Sequence, residues 1–448
     1  MTDQFFSLTI IILVAAAAPI VAQIIPKQAV PETVILVAAG AVLGPNMLDL
    51  IHSSGEAITM LKELGCAFLF LLAGYEIDPK SITGKDGRHG LLTWAVTFLL
   101  AIGFTLLMPS IAIGLQGQLA TALLFTTTAL GTLMPILKDR SLSGTRIGDL
   151  VISYGTWGEL ATVLAVAILL SSRTTWKTAL ILAVMLAFCI WVASAGARAK
   201  KRGTRLYLFL ESRAETTSQT AVRITVLLMV LLVTFSAIFD LDIVLGAFAA
   251  GFVLRYVIPE GNHSLETKLE GMAYGFLVPL FFIVSGCGID LRAVAQAPAL
   301  LVIFILGLIL IRCVPIVISL TIRKDTRSEI ALRNRFSAAF YCTTALPLIV
   351  AITGIAVKDG LMAADTASVL VSAGALTVFL MPFLGSLVYL VVDAEPVAAV
   401  TEIVHEPSHA RQILHDHLQH SHEMAMHRRE HIAEEVHKKH GNTSGTNS

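Results

Sequence analysis

The sequence predicts an all-α polytopic membrane protein. About thirteen transmembrane helices are expected, arranged as inverted-topology repeats, with two discontinuous helices that cross. Three observations carry this. Of 448 residues, 55% are hydrophobic and 14% charged, against about 25% charged in ordinary soluble domains. Thirteen apolar segments follow one another with polar links between them. Three short patterns return in the same order at nearly constant spacing, and the last carries a helix-breaking run in both copies.

The spans fall at about 5–25, 31–45, 60–78, 90–112, 119–138, 147–171, 177–197, 222–240, 243–258, 272–289, 298–322, 331–357 and 366–392. The first follows MTDQFF, which has no basic n-region, so it reads as a retained helix and not a cleaved signal. The second and ninth are short for a full crossing and are expected to be tilted or partly shielded. The fifth reads LATALLFTTTALGTLMPIL. Its Thr126, Thr127, Thr128, Gly131, Thr132 and Pro135 are unsuited to a regular helix: β-branching, glycine entropy and a missing proline donor all count against one. The twelfth has a matching break over Cys342–Pro347.

Loop charges give the orientation. Lys27; Lys80, Lys85 and Arg88; Lys138, Arg140 and Arg146; the cluster Arg198–Arg213; Arg255 and Lys268; and Arg323, Lys324 and Arg327 all fall in one set of alternate loops. The other set holds mainly Asp49, Glu56, Asp240, Asp242, Asp290, Asp359 and Asp365. The positive-inside rule puts the basic set in the cytoplasm, the N-terminus outside and the C-terminus inside. Residues 1–393 are then the membrane domain and 394–448 a polar cytoplasmic tail.

The repeats set the topology. Ala38-Ala39-Gly40 recurs as Ala249-Ala250-Gly251, and Phe70, Gly74, Ile77 and Asp78 recur as Phe282, Gly286, Ile289 and Asp290. Thr127-Thr128-Ala129-Leu130 recurs as Thr343-Thr344-Ala345-Leu346. The offsets are 211, 212 and 216 residues, or seven spans, so the copies run in opposite directions. Paired breaks in inverted repeats point to a transporter's central site.

Glu159 is the principal candidate. It lies ten residues beyond Asp149, roughly 15 Å deep in a ~30 Å hydrocarbon core. A charge at that depth costs about 2.5–3.5 kcal/mol on insertion scales, so it has a function or a structural partner. The functional reading is a carboxylate holding a proton or a cation. Arg312 is also near mid-depth and stays charged at any working pH, so it carries no exchanged proton. It is expected to neutralise Glu159, to cap carbonyls freed at a broken helix, or to tether helices. Thr127, Thr128 and Thr132, with Thr343, Thr344 and Pro347 of the second break, supply hydroxyls and freed carbonyls, unless both helices are merely kinked. Thr156 and Tyr154 precede Glu159 and either line the site or pack. Glu76 and Asp78 read as wetted charges at a segment end.

With zero net charge nothing suggests a nucleic-acid partner, and no glycine-rich nucleotide loop follows the last span. No cofactor and no enzymatic constellation is expected. The five cysteines sit in apolar segments without a CxxC pair and read as core residues. The tail holds ten of thirteen histidines; His405/His409 and His427/His431 are spaced i,i+4, which would suit a metal if the tail were helical, though a solvated or disordered tail explains them as well.

These residues resemble the cation–proton antiporter superfamily, in particular its bacterial sodium– and potassium–proton exchangers, over about residues 5–392. Gly148 matches a family glycine, Gly158-Glu159 stands where the family has an Asn-Asp, Asp-Asp or Gln-Asp pair, and Arg312 matches its basic residue. The FF-x3-G-x2-ID pattern at Phe281–Asp290 is also similar. The resemblance implies exchange of Na+ or K+ for protons across a bacterial inner membrane by a homodimeric elevator, with one acid suggesting electroneutral exchange. Spans within 90–171 and 298–392 would form the moving core, those within 5–78 and 222–289 the scaffold, and 177–197 the linker. A passive conduit or anionic-solute carrier on the same fold, or a non-transporting membrane sensor, are the alternatives.

Overall fold

The structure, a computed structural model, describes residues 2–24, 30–53, 55–77, 84–108, 111–139, 145–170, 219–239, 241–257, 263–323 and 330–389, with isolated residues 82, 142, 183, 184, 187 and 326. Every regular element among them is helical. The helices are α1 (Thr2–Ile24), α2 (Glu32–Leu43), α3 (Glu56–Glu76), α4 (Lys85–Leu106), α5 (Gly114–Leu124), α6 (Leu130–Asp139), α7 (Arg146–Leu169), α8 (Thr220–Ile238) and α9 (Ile243–Val257). There follow α10 (His263–Met272), a π turn at Ala273–Leu277, α11 (Val278–Cys287), α12 (Leu291–Gln296), α13 (Pro298–Leu308) and a π turn at Ile309–Cys313. The last are α14 (Val314–Ile322), α15 (Leu332–Tyr341), α16 (Leu346–Lys358) and α17 (Ala364–Val388).

Helices occupy every predicted span except 177–197, which lies almost wholly outside the described residues, as do Asp78, Cys189 and all the tail histidines. Eight helical stretches among the described residues are long and apolar enough to cross a membrane, or nine if the bent pair α15–α16 is one span. The difference from thirteen has local causes. α2 has 12 residues and α9 has 15, and the fifth span is cut into α5 and α6 of 11 and 10 residues.

The chain clusters into two units: Met1–Ser319 with Phe336–Leu387, and Leu320–Arg335 with Val388–Ser448. In the second, the Arg335 guanidinium donates to the Ile330 carbonyl at 2.8 and 3.0 Å, and to Thr321 Oγ1 at 3.3 Å.

Within the first unit the most extensive pairings are α3 with α9, α2 with α11, α8 with α9, and α4 with α7. The repeated glycines explain the first two. A Cβ at Gly40 (α2) would strike the Ile283 carbonyl and the Gly286 Cα (α11), and one at Gly286 would strike the Val37 carbonyl. The same exchange occurs where Gly74 (α3) meets the Phe248 carbonyl and Gly251 (α9) meets the Leu71 carbonyl. Small residues permit such backbone approach where lipid provides no hydrophobic drive between helices. Asp290, the acid of the FF-x3-G-x2-ID pattern, caps α12 by accepting from the Arg292 amide at 2.8 Å.

α7 begins under a Thr145 cap that accepts from the Gly148 amide, with Asp149 in its first turn. Asp86 of α4 and Arg146 of α7 form an ion pair beside it. α7 carries Glu159 into the interior, where α5–α6 and α15–α16 are interrupted.

Candidate functional site

The first break covers residues 125–129, between α5 and α6. Its threonines explain why the helix stops. Thr126 Oγ1 donates to the Leu123 carbonyl and Thr127 Oγ1 to the Leu124 carbonyl, both at 2.8 Å. Hydroxyls thus satisfy acceptors that a continuing helix would have used. Thr132 Oγ1 binds the Ala129 carbonyl at 3.1 Å, so it closes the first turn of α6. The second break covers 342–345, between α15 and α16, which bend by 43°. Thr343 Oγ1 donates to the Ala339 carbonyl at 2.8 Å. Pro347 sits in the first turn of α16, where its missing N–H costs nothing.

The two breaks meet. The Ala129 amide donates to the Thr344 carbonyl at 2.8 Å, and Thr128 Oγ1 donates to the Cys342 carbonyl at 2.6 Å. Residues 214 apart in sequence are thereby joined where both helices have lost their own bonds. The expectation that the gaps face each other is what the geometry gives.

Glu159 is 3% exposed and one carboxylate oxygen accepts the Leu130 amide at 3.2 Å. That amide opens α6, so the acid lies at the positive end of a half-helix. Thr156, one turn earlier on α7, is fully buried, and its hydroxyl has no hydrogen-bond partner among the described residues. The Thr344 hydroxyl in the second break is in the same condition. Orphaned oxygens are rare in packed interiors, and here two occur on the elements that surround one acid.

Arg312 lies on the π turn between α13 and α14 and is 1% exposed. Its Nη2 donates to Thr128 Oγ1 at 2.8 Å, while Nε has no partner among the described residues. No ion pair joins it to Glu159 among the described residues. Of the roles left open by the sequence, direct neutralisation of Glu159 is not the arrangement found; the guanidinium serves the broken backbone through Thr128.

Tyr154, expected either to line the site or to pack, also makes a bond on α7's other side. Its hydroxyl bonds Ser319 of α14 at 2.8 Å. It precedes Glu159 by five residues, about 140° around the helix. Sequence reasoning also passed over Gly155 as a seat for the break. A Cβ at Gly155 would lie 2.7 Å from Leu130 Cδ2, and one at Gly158 would strike Thr128 Oγ1 and Arg312 Nη2. The G-x-x-G spacing in GTWGE was the available signal: two glycines one turn apart clear one face of α7. Tyr274 was passed over as well, and Glu76 read only as a wetted end charge. The Tyr274 hydroxyl reaches the Gly131 carbonyl of α6 at 3.5 Å, and Glu76 is the last residue of α3, which packs against α6.

No cluster of three metal-ligating side chains occurs among the described residues. The metal candidates of the tail, His405, His409, His427 and His431, all lie outside those residues, so the helix that would bring each pair to one face is not part of the described fold.

A family model described as "Sodium/hydrogen exchanger, transmembrane" matches residues 10–388. The "Putative Na(+)/H(+) antiporter YjbQ" of Bacillus subtilis is 26% identical over 366 residues, which cover 77% of this chain and 56% of that protein. "Glutathione-regulated potassium-efflux system protein KefC" of Escherichia coli O45:K1 is 25% identical over 286 residues, 61% of this chain and 44% of its own length. The chain thus spans about half the length of these curated relatives. Among solved structures, that of the sodium proton antiporter MjNhaP1 from Methanocaldococcus jannaschii at pH 8 superposes with a TM-score of 0.55. It is 14% identical, and the match covers 88% of this chain and 98% of that one, so the likeness is one of fold.

Proposed function

The chain belongs to the transmembrane sodium/hydrogen exchanger family, and from that premise we propose that it is a secondary antiporter exchanging Na+ or K+ for protons. The observation that carries the reading is the position of Glu159: a buried acid at the meeting of two broken helices, held by one backbone amide among the described residues. A proton or a bare monovalent cation neutralises that acid, and each excludes the other. The orphaned hydroxyls of Thr156 and Thr344 are the oxygens that a partly dehydrated cation would recruit. Thr127, Thr128 and Thr132 hold the break in shape, since their hydroxyls are spent on carbonyls.

The carrier moves only when the acid is occupied, because an uncompensated charge resists passage through the apolar surround. One acid in the centre gives electroneutral one-for-one exchange. The moving core is α4–α7 with α13–α17, and the scaffold is α1–α3 with α8–α11, which forms the homodimer. The reciprocal glycine contacts, Gly40 with Gly286 and Gly251 with Gly74, support inverted repeats: each glycine's sequence counterpart makes the counterpart contact. The protein lies in a bacterial inner membrane, N-terminus outside, with residues 394–448 as a cytoplasmic tail.

The test is cation-driven proton movement in proteoliposomes, followed with a pH-sensitive dye for Na+ and K+ in turn. Glu159→Gln is expected to abolish it at unchanged protein abundance. Full activity in that variant removes the mechanism, and cation flux without opposed proton movement in the wild type makes the protein a conduit.

A further inference from the structure

One stripe of α7 holds Gly155, Gly158, Glu159 and Thr162, at i, i+3, i+4 and i+7. The first break runs along this stripe in the opposite direction. Leu130 stands over Gly155 and Thr128 over Gly158, the Leu130 amide meets Glu159, and Thr126 meets Thr162. The break is therefore pinned to α7 at both ends. One pin is the 3.2 Å bond from the Leu130 amide to Glu159. The other is the 3.0 Å contact between the Thr126 and Thr162 hydroxyls, both on fully buried residues.

The second pin has a third member. The indole N–H of Trp94, on α4, donates to Thr162 Oγ1 at 3.0 Å. Stacking on Phe98, with ring centroids 5.5 Å apart, holds that indole in place. An indole can only donate, and a hydroxyl has one proton to give. Thr126 points its proton at the Leu123 carbonyl, 2.8 Å away. One arrangement satisfies all three groups: Trp94 donates to Thr162, Thr162 to Thr126, and Thr126 to a carbonyl in the last turn of α5. The chain thus has a fixed direction, and links that run one way polarise one another. It joins α4, α7 and the break, three pieces of the proposed moving core.

We propose that Trp94 and Thr162 are positioning residues for ion binding: their directed hydrogen-bond chain sets the register of the first break along α7 and so keeps the Leu130 amide on Glu159. The inference rests on the antiport reading above. Both residues act through Thr126 and the break, not on the ion. The segment between α5 and α6 has lost its helical ladder, so its place depends on such ties. The bond it serves has little slack: at 3.2 Å, a slip of about half an ångström takes the Leu130 amide out of hydrogen-bond range of Glu159.

The test reads cation affinity in folded carriers. Apparent KM for NaCl and KCl is measured by dye-monitored proton flux in proteoliposomes, beside the melting temperature of each variant. Thr162→Val keeps the shape of the side chain and removes the middle hydroxyl, and is expected to raise KM about three- to tenfold, the factor one hydrogen bond gives. Thr162→Ser puts the hydroxyl back and should return KM to within about twofold of the wild type. Trp94→Phe keeps a stacking ring without the N–H and should raise KM about two- to threefold. In the Thr162→Val background it should add nothing, because its acceptor is already gone. A residue that only holds helices together would lower the melting temperature and leave the KM of folded carriers alone. An unchanged KM in Thr162→Val, no recovery in Thr162→Ser, or rises that sum in the double variant overturns the proposal. If Thr162→Val does not accumulate, Trp94→Phe decides: a wild-type KM there overturns it equally. Opposed proton movement by the wild type is scored in the same vesicles. Its presence with an unchanged KM in the variants sinks this inference alone; its absence sinks the antiport reading and this inference with it.

Discussion

Gly158→Ala adds one methyl group at the most crowded point of the site. The new Cβ would lie 2.8 Å from Thr128 Cβ and closer still to Thr128 Oγ1 and Arg312 Nη2. Thr128 is fixed by its 2.6 Å bond to the Cys342 carbonyl, and Arg312 by its 2.8 Å bond to Thr128. Both atoms are tied by these bonds, so a bond or the local packing must give. Overpacking of this kind costs about 1–3 kcal/mol. Driving the guanidinium off Thr128 forfeits a hydrogen bond to a charged group, worth about 1.5–3 kcal/mol. Relief by either route therefore disfavours the transport-competent break by about 1.4–2.8 kcal/mol, a ten- to hundredfold loss of exchange rate. The assay is dye-monitored, cation-driven proton flux in proteoliposomes, normalised to folded protein by thermal unfolding in detergent. Arg312→Ala in the same background should add little, because both changes remove the one contact; a double-mutant cycle then shows strong non-additivity. Wild-type flux in Gly158→Ala, or losses that simply sum in the double variant, would refute the reasoning. Gly158→Asn brings the pair nearer to the resemblance's pattern, yet it should be worse than alanine here.

The scaffold glycines give a stability test. Gly74→Ala and Gly286→Ala push a methyl onto the Phe248 and Val37 carbonyls and should lower the melting temperature clearly, whereas Gly271→Ala, with open space around it, should leave it unchanged or raise stability by about 0.5–1 kcal/mol. Asp242 gives a pH test. Its carboxyl is pushed from 3.8 to about 6 in the folded protein, so the native state holds a proton that the unfolded chain has released between those values. Stability therefore falls as pH rises through roughly 4 to 6, and Asp242→Asn should flatten that part of the melting curve; an identical slope in the variant would contradict it.

Much of the helical layout was legible because lipid imposes simple rules. Long apolar runs such as Pro298–Ile322 and Ala364–Val388 have few ways to fold other than as helices. Both breaks were legible as well, since threonines in each run, Thr126 and Thr127 in the first and Thr343 in the second, supply hydroxyls to the backbone they interrupt. What stayed hidden depends on distances between segments. Glycine in GTWGE reads as helix weakness until Thr128 and Arg312 are seen against it. Tyr154 read in sequence as lining the site or packing, and only the fold shows its hydroxyl against Ser319. Glu76 looked like a wetted end charge because nothing in the chain says that α3 ends beside α6.

The way the two buried charges are held is itself an argument about turnover. A direct Arg312–Glu159 pair would have to be broken each time a cation or proton arrived, and removing one partner of a buried pair typically costs about 3–5 kcal/mol. Here the half-helices share that work. Glu159 faces the amide that opens α6, the positive end of a helix dipole. Arg312 reaches, through the Thr128 hydroxyl, the Cys342 carbonyl just past the end of α15, the negative end of another. Each charge is eased by a terminus that exists only because a helix is broken, and neither depends on the other's protonation. On the mechanism proposed above, Glu159 would then trade a proton for a cation while Arg312 and the two breaks stay put. On this view the breaks are the counter-charges of the site as well as its coordinating surface. Arginine suits position 312 because a permanent cation keeps its bond to Thr128, which joins the two breaks, at any working pH.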